Sequence, residues 1–251
     1  MARVDYTDRA HAYRVARTLP AEVLAAWTGT IVGARLPRPA VVLDVGAGPG
    51  GFVAPLASWF GAPVLAIEPS PAMRTEARRA GVSPDRPYVA AWAEALPLRS
   101  GAIAGLAWLS TMIHQCDDPA AAAAELRRVL RPGSRVLVRG FFSDMGFTGL
   151  LARFPGIDRA AATFPSTSAI VATFEAAGFT LDTLHDVVEP WRTDLPAWLG
   201  RVHSIRHTDS ALRPLHDDEF AEGVRRVTEA YRATPDLIPS DTTLRLLVLS
   251  G

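Results

Sequence analysis

Residues 41–51 read Val-Val-Leu-Asp-Val-Gly-Ala-Gly-Pro-Gly-Gly, and this stretch decides the fold of the chain. It begins as a short, β-branched, apolar run, which is typical of a strand buried on both faces of a parallel sheet. It then breaks into glycines, whose backbone can turn tightly and approach a ligand closely, and a following helix offers free N–H groups at its start. A strand, a glycine-rich turn and a helix in this order predict a corner that binds a nucleotide.

Two motifs overlap in this stretch, and the glycines alone do not choose between them. Gly46, Gly48 and Gly51 satisfy the dinucleotide pattern G-x-G-x-x-G. Asp44 with Gly46, Gly48 and Gly50 satisfies a second pattern, acid-x-G-x-G-x-G. The carboxylate of Asp44 can fix the turn through backbone N–H groups, or it can meet a cationic part of a ligand.

The composition favours one large domain and gives no sign of a nucleic-acid partner. The chain has 251 residues and a hydrophobic content of 49%, which is enough for a sizeable core. Basic and acidic residues number 26 each, so a formal net charge of zero gives no electrostatic reason to expect nucleic acid. Every one of the 26 basic residues is arginine, which together with abundant alanine indicates a GC-rich bacterial genome.

Neither a targeting segment nor a membrane partner is predicted. The first twenty residues carry acids and arginines without an apolar run, which argues against a signal peptide. No stretch approaches the roughly 18 apolar residues that a membrane span requires. Cys116 is the single cysteine, so an intrachain disulfide is excluded and a cytoplasmic location is expected. No group of His, Cys, Asp and Glu has convincing ligand spacing, so no metal is expected.

Strands and helices alternate after the glycine turn. This alternation predicts a doubly wound, mostly parallel α/β sheet with right-handed crossovers. Seven strands are expected, with a change of pattern beyond residue 140 to aromatic and helical segments. The predicted strands cover residues 41–45, 63–67, 88–91, 106–109, 135–139, 179–187 and 244–249.

A lid and two insertions are predicted around this sheet. Residues 1–36 carry two helical patterns that end at a proline-rich stretch, so they are expected to form an amino-terminal helical lid. Residues 37–251 then form the sheet domain. Within it, residues 141–172 and residues 190–238 are the expected cap insertions. Both lie at the carboxyl edge of the sheet, where ligands bind in open α/β folds.

Glu68 ends the second predicted strand, about twenty residues after Gly46, which is the spacing at which an acid binds a ribose. A carboxylate there can accept hydrogen bonds from both ribose hydroxyls. Because several nucleoside cofactors share that ribose, this residue supports a nucleotide site without identifying the cofactor. The choice must come from segments further along the chain.

Three further segments resemble, in order, those of the class I S-adenosylmethionine-dependent methyltransferases. They are residues 91–98 after the third strand, residues 109–114 after the fourth and residues 130–133 before the fifth. Together with the acid-x-G-x-G-x-G motif they extend the resemblance over residues 41–140. The chain is most similar to the small-molecule enzymes related to the ubiquinone-biosynthesis type, methyltransferase type 11. Trp92 and Ala104 depart from that family, which usually has an acid at each position.

The resemblance implies S-adenosylmethionine as the cofactor and an in-line transfer of its methyl group to a substrate carbon, oxygen or nitrogen. Holding donor and acceptor in line can supply about 7–11 kcal/mol, against roughly 3–5 kcal/mol from a general base, so positioning should dominate. The cofactor-binding residues that it implies are Tyr13, Arg17, Asp44, Gly46, Ala47, Gly48, Gly50, Glu68, Pro69, Met73, Trp92, Ala93, Glu94, Leu109 and Ser110.

His114 and Tyr13 are the predicted catalytic residues. His114 follows the fourth strand, next to the expected position of the methyl group, and is the candidate base; alternatively it only packs or shapes the pocket. Tyr13 and Arg17 share one helical face. In similar enzymes an amino-terminal helix closes over the cofactor, with a tyrosine that reaches the methionyl end. Arg17 can pair with the cofactor carboxylate, or it can be an ordinary solvated arginine.

The aromatic segment after residue 140 predicts a small, largely apolar acceptor such as a natural-product scaffold, although core packing would use the same residues. A lid helix that exchanged between protomers would make a homodimer, which nothing in the sequence demands. Two rival functions stay open. One is an NAD(P)-dependent oxidoreductase, against which the absence of lysine counts because a Tyr-Lys pair is then excluded. The other is a methyltransferase-fold protein that binds the cofactor without methylating, which the departures at Trp92 and Ala104 allow.

Overall fold

The structure is a computed structural model that describes residues 5–34, 36–82, 88–103, 105–236 and 238–251. The strands are β1 (Val41–Val45), β2 (Val64–Ile67), β3 (Tyr88–Val89), β4 (Gly105–Ser110), β5 (Arg135–Gly140), β6 (Thr180–Glu189), β7 (Arg192–Thr193), β8 (Ile238–Pro239) and β9 (Thr242–Ser250). The α-helices are α1 (Ala10–Ala16), α2 (Ala21–Gly33), α3 (Val53–Phe60), α4 (Pro71–Arg79), α5 (Pro119–Val129), α6 (Ile157–Ala161), α7 (Thr167–Ala176), α8 (Leu195–Ser204) and α9 (Asp217–Ala230).

Seven strands form the main sheet in the order β3-β2-β1-β4-β5-β9-β6. The first five of these run parallel, and β9 lies antiparallel between β5 and β6. Parallel neighbours require a crossover connection, which is why helices alternate with these strands along the chain. The predicted class, a doubly wound, mostly parallel seven-stranded α/β sheet, is therefore confirmed.

Alternate residues of the central strands point into two apolar layers, one on each face of the sheet. On β4, Ala107 and Leu109 pack toward α5 and α7, whereas Leu106 and Trp108 pack toward α2 and α3. This follows from the two-residue period of a strand, whose successive side chains point to opposite faces. Burial on both faces explains why the central strands read as continuous apolar runs.

A third apolar cluster lies in the segments that the sequence predicts as cap insertions. It joins α6, α8 and α9 through buried side chains such as Phe154, Trp198 and Phe220. β7 and β8 pair in a separate two-stranded sheet, which brings together the two ends of the second insertion. The sequence analysis missed these strands, because two-residue strands carry no periodicity. None of the helices in the described ranges has the length and hydropathy of a membrane-spanning segment.

The two amino-terminal helices have different surroundings. α2 packs against α3 and β6, with Val23, Trp27 and Ile31 buried in that layer of the sheet domain. α1 instead packs against α4 and α8, across the carboxyl edge of the sheet. α2 is therefore part of one of the two layers that cover the sheet. The lid role stays a prediction for α1.

Candidate active site

The glycine corner follows β1 directly and has a backbone that few residues other than glycine can adopt. Gly46, Gly48 and Gly50 have φ values of +71°, +55° and +89°, in the region that L side chains rarely occupy. Gly51 lies outside that region, and a Cβ added to it would meet no atom within 4 Å. The backbone therefore requires the glycines of the acid-x-G-x-G-x-G pattern and not the last glycine of the dinucleotide pattern.

Close packing fixes two of these glycines as well. A Cβ on Gly46 would stand 2.9 Å from the Cβ of Met112, and a Cβ on Gly50 would stand 2.7 Å from a methyl group of Val82. A Cβ on Gly48 would meet nothing within 4 Å, so the middle of the corner faces open space. The corner is held to the sheet because the N–H groups of Gly46 and Ala47 both donate to the carbonyl of Ile67.

Glu68 closes the corner from the neighbouring strand. Its Oε2 accepts the N–H of Gly48 at 2.8 Å, and its Oε1 accepts the N–H of Ser70 at 2.8 Å. Burial raises the pKa of this carboxyl group, although both hydrogen bonds oppose the rise. Each carboxylate oxygen has two lone pairs, so both oxygens keep one acceptor position for the hydroxyls of a ribose.

Asp44 lies beneath the corner and is almost fully buried. Its Oδ2 has no hydrogen-bond partner among the described residues. Burial, and then the nearby carboxyl group of Glu68, raise the pKa of Asp44 to about 8. A buried polar atom without a partner costs free energy. This carboxyl group, which is mostly protonated at neutral pH, therefore fits a ligand whose cation or N–H group would favour its charged form.

A cavity of about 110 Å³, named here the cofactor cavity, opens beside the corner. Most of the residues that the resemblance implies do line it. These are Tyr13, Gly46, Gly48, Glu68, Pro69, Met73, Trp92, Ala93, Glu94 and Ser110. Trp92 lies at the edge of this cavity and is 45% exposed, so its indole can cover a planar ligand. The sequence analysis did not include Tyr6, Met112, Gln115 or Cys116, which also line it.

Five of the implied residues do not line the cofactor cavity. Leu109 is fully buried in the sheet core, because its side chain points into the apolar layer on one face of the sheet. Gly50 packs against Val82, and Ala47 packs into the α2–α3 layer. Asp44 lies beneath the corner, as described above. Arg17 lines a second cavity instead.

The second cavity, named here the acceptor cavity for the role that we propose for it, has a volume of about 150 Å³ and aromatic rings in part of its wall. The rings of Phe141 and Phe147 stack at 3.9 Å between centroids, and the edge of Phe164 meets both. Trp191 and Trp198 complete this wall. Two other aromatic residues of the segment after residue 140 lie elsewhere: Phe142 is buried in the sheet core and Phe154 in the cap cluster.

The two cavities meet at Tyr13 and Thr111, which line both of them. Thr111 follows β4 and has a φ of +50°, and among the described residues no other non-glycine residue has a positive φ. Its N–H donates to the carbonyl of Arg139 at 2.7 Å, which holds this conformation. Strained backbone of this kind persists where the surroundings enforce it, and it clusters at functional sites.

His114 lies in a single 3-10 turn, Ile113–Gln115, and lines the acceptor cavity. Its Nε2 is 2.9 Å from Oγ of Ser210, and its ring lies 4.8 Å from that of Phe164. Burial lowers the pKa of His114 to about 4. The imidazole is therefore neutral at ordinary pH and can exchange a hydrogen bond, but it is a weak proton acceptor.

Tyr13 and Arg17 share a face of α1, as predicted, but they meet different partners. The ring of Tyr13 makes an edge contact with Tyr6 at 5.1 Å. Arg17 forms an ion pair with Asp209, from the segment that follows α8. The side chain of Arg17 is 43% exposed although it is ion-paired, and its contact with the cofactor stays a prediction.

A buried ion pair between Arg139 and Glu189 lies between the two cavities, and the sequence analysis missed it. Arg139 donates to Oγ of Ser110 at 2.7 Å, a residue of the cofactor cavity. Glu189 lines the acceptor cavity and accepts the indole N–H groups of Trp27 at 2.7 Å and Trp191 at 3.1 Å. The only sequence signal is an arginine that directly follows the apolar centre of β5. The described residues include no cluster of three or more potential metal ligands.

Comparison with known proteins identifies the class to which this site belongs. Residues 43–138 match the family model described as a methyltransferase domain. These residues, which hold the glycine corner and most of β1 to β5, thus carry a methyltransferase domain, in agreement with the resemblance to the class I S-adenosylmethionine-dependent methyltransferases. It is 42% identical over 104 residues to malonyl-[acyl-carrier protein] O-methyltransferase of Enterobacter lignolyticus, a match that covers 40% of this chain and 39% of that protein. The chain thus spans about two-fifths of the length of the curated relatives it matches.

Solved structures share the fold over most of the chain. A putative methyltransferase of an antibiotic biosynthesis pathway from Anabaena variabilis has a TM-score of 0.63 and 20% identity, covering 90% of this chain and 99% of that one. The [4+2]-cyclase SpnF has a TM-score of 0.58 and 20% identity, covering 90% of this chain and 80% of that one. At these identities the likeness concerns the fold alone.

Proposed function

We propose that the protein transfers a methyl group from S-adenosylmethionine to a small, largely apolar acceptor in the acceptor cavity. The observation that carries this proposal is the junction of the two cavities at Tyr13 and Thr111. A donor beside the glycine corner and an acceptor among the aromatic rings would meet there. Such an arrangement supplies catalysis mainly through proximity and orientation.

The residues of the cofactor cavity fit this cofactor. Bound S-adenosylmethionine supplies a sulfonium methyl group as the electrophile. Gly46 and Gly48 let the backbone approach it closely, and Glu68 has acceptor positions for the ribose hydroxyls. Asp44 offers a buried acceptor below the corner, and Trp92 can cover the adenine. These assignments are proposals that rest on where the side chains lie.

On the acceptor side, the protein contributes positioning more than proton transfer. His114 has a lowered pKa and faces Ser210, so we assign it to hydrogen bonding with the acceptor rather than to strong base catalysis. Tyr13 lies where both ligands would meet, which supports its predicted role. α1 carries Tyr13 and packs between α4 and α8, which supports a lid function for that helix.

The first test separates the cofactor classes by isothermal titration of the whole chain with S-adenosylmethionine, S-adenosylhomocysteine, NAD and NADP. We expect the two sulfur nucleosides to bind and the two dinucleotides to fail, because the backbone does not require Gly51. Gly46→Ala should lose binding, since its new Cβ would stand 2.9 Å from Met112. Gly51→Ala is the matched control. Binding of NAD alone would overturn the proposal in favour of the oxidoreductase.

A second candidate is a protein of this fold that binds the cofactor and converts its substrate without methylation. Two features favour this second candidate: His114 is a weak base, and position 92 carries an indole where the methyltransferase family usually has an acid. The [4+2]-cyclase SpnF has the same fold. Incubation with S-adenosylmethionine labelled on its methyl group separates the candidates. Label in the product supports methyl transfer, whereas a changed, unlabelled product supports the second candidate.

A further inference from the structure

We propose that the acceptor carries a carboxylate that binds the guanidinium of Arg201, a refinement that rests on the proposed function. Arg201 lies on α8 and lines the acceptor cavity. Its role would be to select and orient the acceptor, so that the reacting atom points toward Tyr13 and Thr111. The predicted substrate class is therefore an organic acid with an apolar body.

The guanidinium of Arg201 is held in place and has N–H donors available for an anion. Its guanidinium carbon lies 4.7 Å from the ring centroid of Trp191, which holds the plane of the group by a cation–π contact. Its one hydrogen bond among the described residues is a long one, 3.5 Å from Nη2 to Oγ of Ser240. No carboxylate in the described part of the chain forms an ion pair with it. Most of its five N–H donors are thus available to a ligand.

The other charges around the acceptor cavity are already balanced. Three carboxylates line the cavity, and each forms an ion pair with an arginine. The pairs are Glu189 with Arg139, Asp209 with Arg17, and Asp241 with Arg192. Because His114 is neutral, the cavity is left with one uncompensated positive charge, on Arg201.

This single charge selects the kind of anion. Burial, and then the nearby guanidinium of Arg17, lower the pKa of Arg201, although the carboxylate of Asp209 opposes this shift, so the charged form is held there at a cost. A planar carboxylate can accept two parallel N–H bonds from one guanidinium and would remove that cost. One cation balances a carboxylate but not a phosphate dianion. The surrounding aromatic wall then accommodates an apolar body.

The experiment compares acids with neutral analogues of the same shape. Octanoate and cinnamate are titrated against octanamide and cinnamamide on the full chain saturated with S-adenosylhomocysteine. We expect each acid to bind at least about tenfold more tightly than its amide, as an Arg–carboxylate pair in a partly buried site should give. Arg201→Met should abolish this preference. Arg201→Lys keeps the charge without the planar fork and should retain only part of it.

Arg153→Met is the matched control, because Arg153 also stacks on an aromatic ring, 5.8 Å from the centroid of Tyr231, but lies exposed outside the cavity. It should keep the full preference for acids. The proposal is overturned if the parent binds acids and amides equally or binds neither, if the preference survives in Arg201→Met, or if octyl phosphate binds better than octanoate.

Two further readouts keep the result interpretable. Circular dichroism and thermal unfolding establish that Arg201→Met is folded; if it is not, Arg201→Gln takes its place. A failure of S-adenosylhomocysteine to bind would contradict the proposed function, and the acid–amide comparison would then be made on the protein alone. A failure of the proposed function can therefore be distinguished from a failure of the proposed role of Arg201.

Discussion

The two cavities of this protein are built in different ways. The cofactor cavity is lined mainly by short segments that directly follow β1, β2, β3 and β4, all at one edge of the parallel sheet. The acceptor cavity is lined by α1, by the segment after β5, by α8 and by residues near β9, which are distant in the sequence. The first site is thus encoded by local motifs, whereas the second depends on how separate segments pack.

A buried ion pair joins the two regions. Arg139 belongs to β5 and reaches Ser110 of the cofactor cavity, whereas Glu189 ends β6 and lines the acceptor cavity. Although burial opposes it, the guanidinium of Arg139 lowers the pKa of Glu189, so the pair is charged. Breaking this ion pair should therefore lower the stability of the protein more than a change within either cavity.

The largest effect is expected when the ion pair between Arg139 and Glu189 is broken. Arg139→Met should reduce the free energy of unfolding by about 3–5 kcal/mol, because it leaves the carboxylate of Glu189 buried without a cation. Urea denaturation measures the loss. The double variant Arg139→Met/Glu189→Met should lose less than the two single variants combined, since it removes both charges. A single-variant loss below about 1 kcal/mol would show that the pair does not join the regions.

The next effect concerns the acceptor side and pH. Because the pKa of His114 is about 4 in the folded protein and 6.5 in the unfolded reference, the unfolded chain takes up the proton first as the pH falls. Stability from this group is full above about pH 6.5 and is lost as the pH falls toward about 4, by about 3 kcal/mol in all.

His114→Gln isolates that contribution, since other groups titrate in both proteins. Unfolding free energies of the parent and the variant should therefore diverge at high pH and converge as the pH falls. An unchanged difference across this range would mean that His114 is not buried as a neutral imidazole.

The glycine corner should show a smaller, sharply local effect. Gly50→Ala places a side chain at φ +89° and 2.7 Å from Val82, so it should destabilise the fold by about 2 kcal/mol. Gly51→Ala, one residue along, should change stability by less than about 0.5 kcal/mol. Thermal unfolding compares the two. Equal losses would show that the backbone does not distinguish the two overlapping motifs.

The smallest expected effect lies at the mouth of the cofactor cavity. Trp92→Ala should weaken S-adenosylhomocysteine binding by about tenfold, as the loss of one aromatic contact with the adenine would give. Binding should also quench indole fluorescence in the parent more than in the variant. Leu184→Ala removes another exposed apolar side chain, on β6, and should leave affinity unchanged. Equal affinity in Trp92→Ala would remove the indole from the site.

Many residues of the cofactor cavity can be named from the sequence, because each strand end carries its own residues. Glu68, Met73 and Trp92 lie on the cofactor cavity as expected. Leu109 and Arg17 lie outside that cavity for physical reasons: on a strand the neighbouring residue points to the opposite face, and a residue on a helix can face either cavity. Ala104, whose departure from the family is noted above, lies outside the described residues.

By itself, the sequence determined the order of strands and helices and the glycine corner, because alternation, caps and left-handed turns are local requirements of the backbone. Only the tertiary structure decided which polar groups meet. His114 contacts Ser210 across 96 residues, and Arg17 pairs with Asp209 across 192. No local pattern specifies such partners, since they depend on how α1, α4 and α8 pack together at the carboxyl edge of the sheet. For the same reason, only the tertiary structure shows that Arg201 has no anionic partner among the described residues.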